Sequence, residues 1–68
     1  MDANTKMRIE GQWDQLKGKF KENWGELTDN DLKRAEGRYD SLVGVIKERT
    51  GEAREAIERR LKELAARR

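Results

Sequence analysis

The sequence predicts an all-α domain: a small bundle of three to four short helices that carries an internal duplication. Two observations lead there. Residues 8–26, RIEGQWDQLKGKFKENWGE, align without a gap on residues 34–52, RAEGRYDSLVGVIKERTGE, with ten of the nineteen positions identical. Within each copy the apolar residues recur with the period of a helix and not of a strand.

At about 100° per residue, Ile9, Trp13, Leu16, Phe20 and Leu27 form one stripe, with Trp24 at its edge. Asn4 or Thr5 is placed to cap this first helix, and Gly25 to stop it. Thr28 then opens Thr-Asp-Asn-Asp, an N-cap followed by acidic residues where the helix dipole favours them. In the second copy Ala35, Tyr39, Leu42, Ile46 and Ala53 repeat the stripe, flanked by Val43 and Val45. Gly37 divides this middle segment in the four-helix version, and Gly51 ends it. A last helix over about 52–66 places Ala53, Ile57, Leu61 and Leu64 on one face. Its other face holds Glu55/Arg59, Glu58/Lys62 and Glu63/Arg67, all in the favourable acid-first i,i+4 order.

The 68 residues allow one domain, spanning 1–68. Charged residues make up 44% and Leu, Ile, Val and Phe only twelve positions, near the border with disorder. Sixteen basic side chains almost cancel fourteen acidic ones, which speaks for folding around a thin core. There is no Cys and no His, so the thiolate nucleophile, the zinc-finger spacing and the commonest general base are missing. Ser41, the one serine, has no histidine to activate it. No cofactor, metal or small-molecule substrate is expected. No apolar run approaches a membrane span or a signal-peptide core, which makes the cytoplasm the expected location.

Gly11, Gly18 and Gly25 recur every seven residues, as do Gly37, Gly44 and Gly51, opposite the aromatic stripe. One reading is a smooth strip for another backbone; the favoured one is that some end helices and the rest reflect ancestry. Asp29-Asn30-Asp31 has the start of a calcium loop, but Lys33 and Arg34 stand where a ligand and a glycine are needed. Glu10/Asp14 and Glu36/Asp40 are paired carboxylates without a cleft to perturb them, and read as solvated surface. Trp13 belongs to the core. Trp24, Lys17, Lys21 and the terminal Arg67 and Arg68 are the candidate interaction surface. The net charge is only +2, and residues 1–50 are balanced, so nucleic acid has weak support as a partner. The last helix is expected to pack on its own domain before any groove or membrane.

The run GQWDQLKGKFKENWGELTDNDL followed by EGRYDSLVGVIKERTG resembles the CsbD-like family of small bacterial general stress proteins. The likeness covers roughly residues 4–60 and rests on Trp13, Leu16-Lys17-Gly18-Lys19, Trp24-Gly25, Leu27-Thr28-Asp29, Gly37 and Asp40-Ser41-Leu42-Val43-Gly44. The Arg-rich end beyond Glu63 lies outside that pattern. The resemblance implies induction under general stress and two helical hairpins packed roughly at right angles. It also implies kinship with hydrophilins, to which the mean hydropathy of −1.19 and the six glycines conform. It carries over no catalytic residue. The expectation is a non-enzymatic stress protein, a hydrophilin-type protectant, monomeric or weakly self-associating. The alternative is a small module that binds a specific protein or nucleic acid.

Overall fold

A computed structural model describes residues 3–66, and within them the chain forms five helices and no strand. They are α1 (Ala3–Gly11), α2 (Trp13–Asn23), α3 (Asp29–Arg34), α4 (Tyr39–Thr50) and α5 (Arg54–Ala66). The radius of gyration is 10.5 Å, against about 11 Å for a folded chain of this length. The thin core therefore still closes the chain up.

The duplication is visible in the helices. Trp13 and Tyr39, equivalent at the offset of 26, each open a helix, so α2 and α4 are counterparts. Helices α1 and α2 pack together, as do α3 and α4, and α5 lies against α1, α2 and α4. It thus closes both halves.

There is one helix more than the three to four expected, because the first copy is broken at Gln12 (φ −114°, ψ 29°). Gly11, a weak helix former, ends α1. Hydrogen bonds Gln12 N–H to Arg8 O (2.9 Å) and Leu16 N–H to Gln12 O (3.0 Å) carry the phase across the break. Ile9, Trp13, Leu16 and Phe20 consequently still share the buried face. Gly37 does split the middle segment, at a left-handed φ of 72°.

Caps explain the other limits. Thr28 and Asp31 form a capping box: each side chain accepts the other's backbone N–H, both at 3.1 Å. Gly51 takes φ 75° and donates its N–H to Lys47 O at 2.8 Å, the left-handed stop that glycine makes without strain. Two expected details differ. Asn4 and Thr5 lie inside α1, which begins at Ala3, and Thr5 is buried. The last helix starts at Arg54 and not at 52, since the turn at Gly51 leaves Glu52 and Ala53 in the connection. Ala53 is accordingly exposed.

Seventeen apolar residues form one core, with Ile9, Phe20, Ala35, Leu42, Ile46, Ile57 and Leu61 wholly enclosed. It takes in every expected stripe residue except Ala53. The expected i,i+4 pattern on α5 is rearranged: Glu58 pairs with Arg54 (3.2 Å), and among the described residues Glu55 and Arg59 form no ion pair. Exposed pairs of that kind gain little, about 0–1 kcal/mol, so register does not dictate them. Arg67 of the third pair lies outside the described residues.

Candidate functional site

The five residues singled out as an interaction surface do not come together as one. Trp24, the C-cap of α2, is only 1% exposed and belongs to the core. Its indole N–H points to Glu52 Oε1 (3.4 Å), and the Arg60 guanidinium sits 5.7 Å from the ring centroid. Arg60 in turn reaches Glu52 (3.8 Å) and donates to the Asn23 carbonyl (3.4 Å). The α4–α5 connection and α5 thus close over a ring that the helical wheel leaves at the edge of its stripe. Stacking of a base or partner on Trp24 is ruled out in this arrangement.

Lys17 and Lys21 do lie on the surface of α2, but each faces an acid. Lys21 Nζ donates to Asp29 Oδ1 at 2.7 Å, and Lys17 Nζ is 3.4 Å from Asp14. The Lys21 hydrogen bond and charge, with a further contribution from Lys17, hold the Asp29 carboxyl below its ordinary value. The lysines are therefore locally neutralised and do not make a basic stripe. Arg67 and Arg68 lie outside the described residues.

The grooves are shallow and mixed in character. The larger, about 640 Å³, runs between Arg8, Gln12, Gln15, Leu16 and Lys19 on one side and Leu64 and Ala65 on the other. A smaller one, about 280 Å³, has Trp13, Lys17, Leu32, Lys33 and Glu36 around it. The indole N–H of Trp13 is buried with no acceptor among the described residues.

Sequence reasoning missed the polar group that the fold encloses most completely. Asp31 is 1% exposed and is gripped by Arg49 through two hydrogen bonds, Nε to Oδ2 (3.0 Å) and Nη2 to Oδ1 (2.9 Å). Arg49, then burial working the other way, then the Thr28 amide set its carboxyl below the ordinary range. One side chain thus caps α3 and ties it to the end of α4. The Thr28-x-x-Asp31 spacing could have identified the cap; nothing local pointed to Arg49, 18 residues on.

Several other carboxylates also hold structural contacts. Glu10 accepts the Tyr39 backbone N–H (2.9 Å), so α1 caps α4 from outside its own sequence. Asp40 binds Arg54 (3.0 Å), and Asp14 binds Lys17. Asp29 turns out to Lys21 while Asp31 turns in to Arg49, so the pair does not converge on one cation. Among the described residues no three acidic groups are disposed to hold a metal ion. A methyl group built on any of the six glycines meets no atom of a neighbouring element within 4 Å, so no packing within this chain needs them bare, and only the left-handed φ of Gly37 and Gly51 does.

The profile of the CsbD-like family matches residues 7–59. A UPF0337 protein of Agrobacterium fabrum is 62% identical over 32 residues, 47% of this chain and 43% of the relative. One of Mesorhizobium japonicum is 62% identical over the same length and the same shares. A UPF0337 protein of Pseudomonas aeruginosa is 64% identical over 25 residues, 37% of this chain and 38% of its own. The chain thus spans less than half the length of these relatives in the matched segments. No solved structure matches it significantly.

Proposed function

Because the chain belongs to the CsbD-like family, we propose that it is a non-enzymatic protein of the bacterial general stress response, acting in the cytoplasm as a hydrophilin-type protectant. The observation that carries this reading is the division between surface and core. Among the described residues Asp31 is the one buried charged group, and it is paired. The other charged side chains lie at least partly in water, with acids and bases interleaved. Met7 is the one large apolar residue exposed among them, at 70%.

Such a surface binds much water and offers little to which another protein can adhere. It can therefore crowd between drying macromolecules without joining them. The absence of a membrane-crossing helix among the described residues leaves the protein able to act this way in bulk. Balanced charge also keeps it from behaving as a polyanion or polycation, whose binding would be indiscriminate.

The reading is tested by drying a labile enzyme with the wild-type chain, with an equal mass of an inert globular protein, and with the core-broken variant Leu61→Asp. Recovered activity should be clearly higher with the wild-type chain than with the inert protein. Equal recovery would overturn the proposal. Comparison with Leu61→Asp tells whether the folded surface or the composition alone protects.

A further inference from the structure

Helices α4 and α5 meet at Gly51–Ala53, three residues outside any helix. The reversal begins at Gly51, which takes a left-handed φ of 75°, and continues through the non-helical Glu52 and Ala53. The amides and hydroxyl around it support the turn: Gly51 N–H to Lys47 O, Thr50 Oγ1 to Ile46 O, and Glu52 N–H to Thr50 Oγ1. Nothing else in the connection opposes a helix, since the chain has no proline and Glu52, Ala53 and Arg54 all favour one.

Six of the buried apolar residues of the two helices are, moreover, in phase across the turn, while Leu42, Ala65 and Val45 lie about 60°, 80° and 120° away. At about 100° per residue, Ile57, Leu61 and Leu64 fall within about 40° of the direction of Tyr39, as do Val43 and Ile46. All six are buried, on two separate helices of the closed structure. A turn between independent helices has no need of that continuity.

If Gly51 became helical, Tyr39–Ala66 would be a single rod of 28 residues, about 42 Å long. The longest extent of the whole molecule is 25 Å. The rod cannot fold back on its own globule, so α5 must leave its seat on α1, α2 and α4. Ile57 and Leu61, wholly enclosed in the closed form, would then face water, and the seat would stand open. Two chains opened in this way satisfy each other. From Arg54 on, the α5 of each fills the seat of its partner and remakes contacts such as the Arg54–Asp40 ion pair (3.0 Å), while the contacts of Glu52 with Trp24 and Arg60 belong to the hinge and are given up.

We propose that Gly51 is the hinge of a domain-swapped dimer, in which α5 docks on a second copy of this chain. Because the contacts of α5 itself are the same in both forms, the balance rests on the hinge segment, Glu52 included, and on concentration. Glycine at position 51 favours the closed monomer. A stress that concentrates the cell contents favours the dimer by mass action.

The test is Gly51→Ala. A Cβ favours the helical over the left-handed conformation by about tenfold per hinge, hence about a hundredfold for the two hinges of a dimer. Size-exclusion chromatography with light scattering should find Gly51→Ala dimeric at concentrations about a hundredfold below those needed by the wild type. Gly51→Asn, which tolerates the left-handed conformation, should remain monomeric there. Tagged and untagged Gly51→Ala dimers, mixed after assembly, should exchange chains only as slowly as the chain unfolds. A Gly51→Ala chain that stays monomeric at millimolar concentration, folded or unfolded by circular dichroism, overturns the proposal. So does a dimer that exchanges within the dead time of mixing, since that is a surface contact.

Discussion

Replacing Gly18 and Gly44 by alanine should stabilise this protein, and by an amount the structure sets closely. The two are equivalent positions of the duplication, in the interiors of α2 and α4. Neither has a positive φ, both are exposed, and a Cβ at either meets nothing within 4 Å. Steric and strain effects therefore drop out, leaving the intrinsic helical preference for Ala over Gly, about 1 kcal/mol at each site. Part of that gain comes from restricting the unfolded chain. The sites lie in different helices with no shared partner, so the double variant should gain about 2 kcal/mol. Against a total of about 3–10 kcal/mol for a chain of this size, that is a large fraction. In a far-UV circular dichroism melt each single variant should rise by about 4–8 °C and the double by about twice as much. A melting temperature that falls for either would refute the reasoning, since it would show a contact that needs the bare backbone. If the double variant melts higher yet protects a drying enzyme less well, the glycine strip serves a partner and the protectant reading loses its basis.

Gly37→Ala should behave in the opposite sense: its φ of 72° strains a Cβ by about 1–2 kcal/mol, and the same melt should fall. Leu61→Ala removes a wholly enclosed side chain of α5; at about 2–5 kcal/mol it should leave much of the protein unfolded at 37 °C, read by loss of the helical signal. Asp31, its carboxyl lowered chiefly by Arg49, binds a proton more weakly when folded than when unfolded. Its stabilising effect is thus intact above the ordinary value of 3.8 and is lost as pH falls through and below it. Asp31→Asn should be less stable than wild type at neutral pH and should lose less on acidification; parallel acid branches in urea titrations would contradict this. For Tyr39, burial first and then the Glu58 charge raise the phenol from 10.0 to about 12. The unfolded chain ionises first, so that contribution is complete below the unfolded value and disappears as pH rises towards 12. Tyrosinate absorbance should therefore appear together with loss of helix, and Tyr39→Phe should blunt the alkaline transition.

Much of the fold was legible because a helix imposes its period on any residue that must be buried. Ile9, Trp13, Leu16 and Phe20 in one copy, and Tyr39, Leu42 and Ile46 in the other, announce their faces by spacing alone. The break at Gln12 was not legible, since a one-residue interruption that keeps two backbone hydrogen bonds leaves that spacing unchanged. The glycines show the same boundary. Gly18 and Gly44 stay equivalent, but Gly11 ends a helix where Gly37 turns left-handed, and Gly25 and Gly51 diverge likewise. Glycines at equivalent positions of the duplication thus take different conformations.

The candidate surface was the least legible part. Trp24 stood at the edge of its stripe, and its exposure depended on α5, whose Arg60 is 36 residues away. Asp31 with Arg49, Glu10 with the Tyr39 amide, and Trp24 with Glu52 are likewise separated by 18, 29 and 28 residues. By itself the sequence determined that this protein is all-helical, internally duplicated, rich in charge and without His or Cys. These are properties of composition and of short-range period, which need no knowledge of neighbours. Only the tertiary structure decided which charges are enclosed, which tryptophan is hidden and where the chain reverses. Those depend on contacts between distant segments, and no periodicity encodes them.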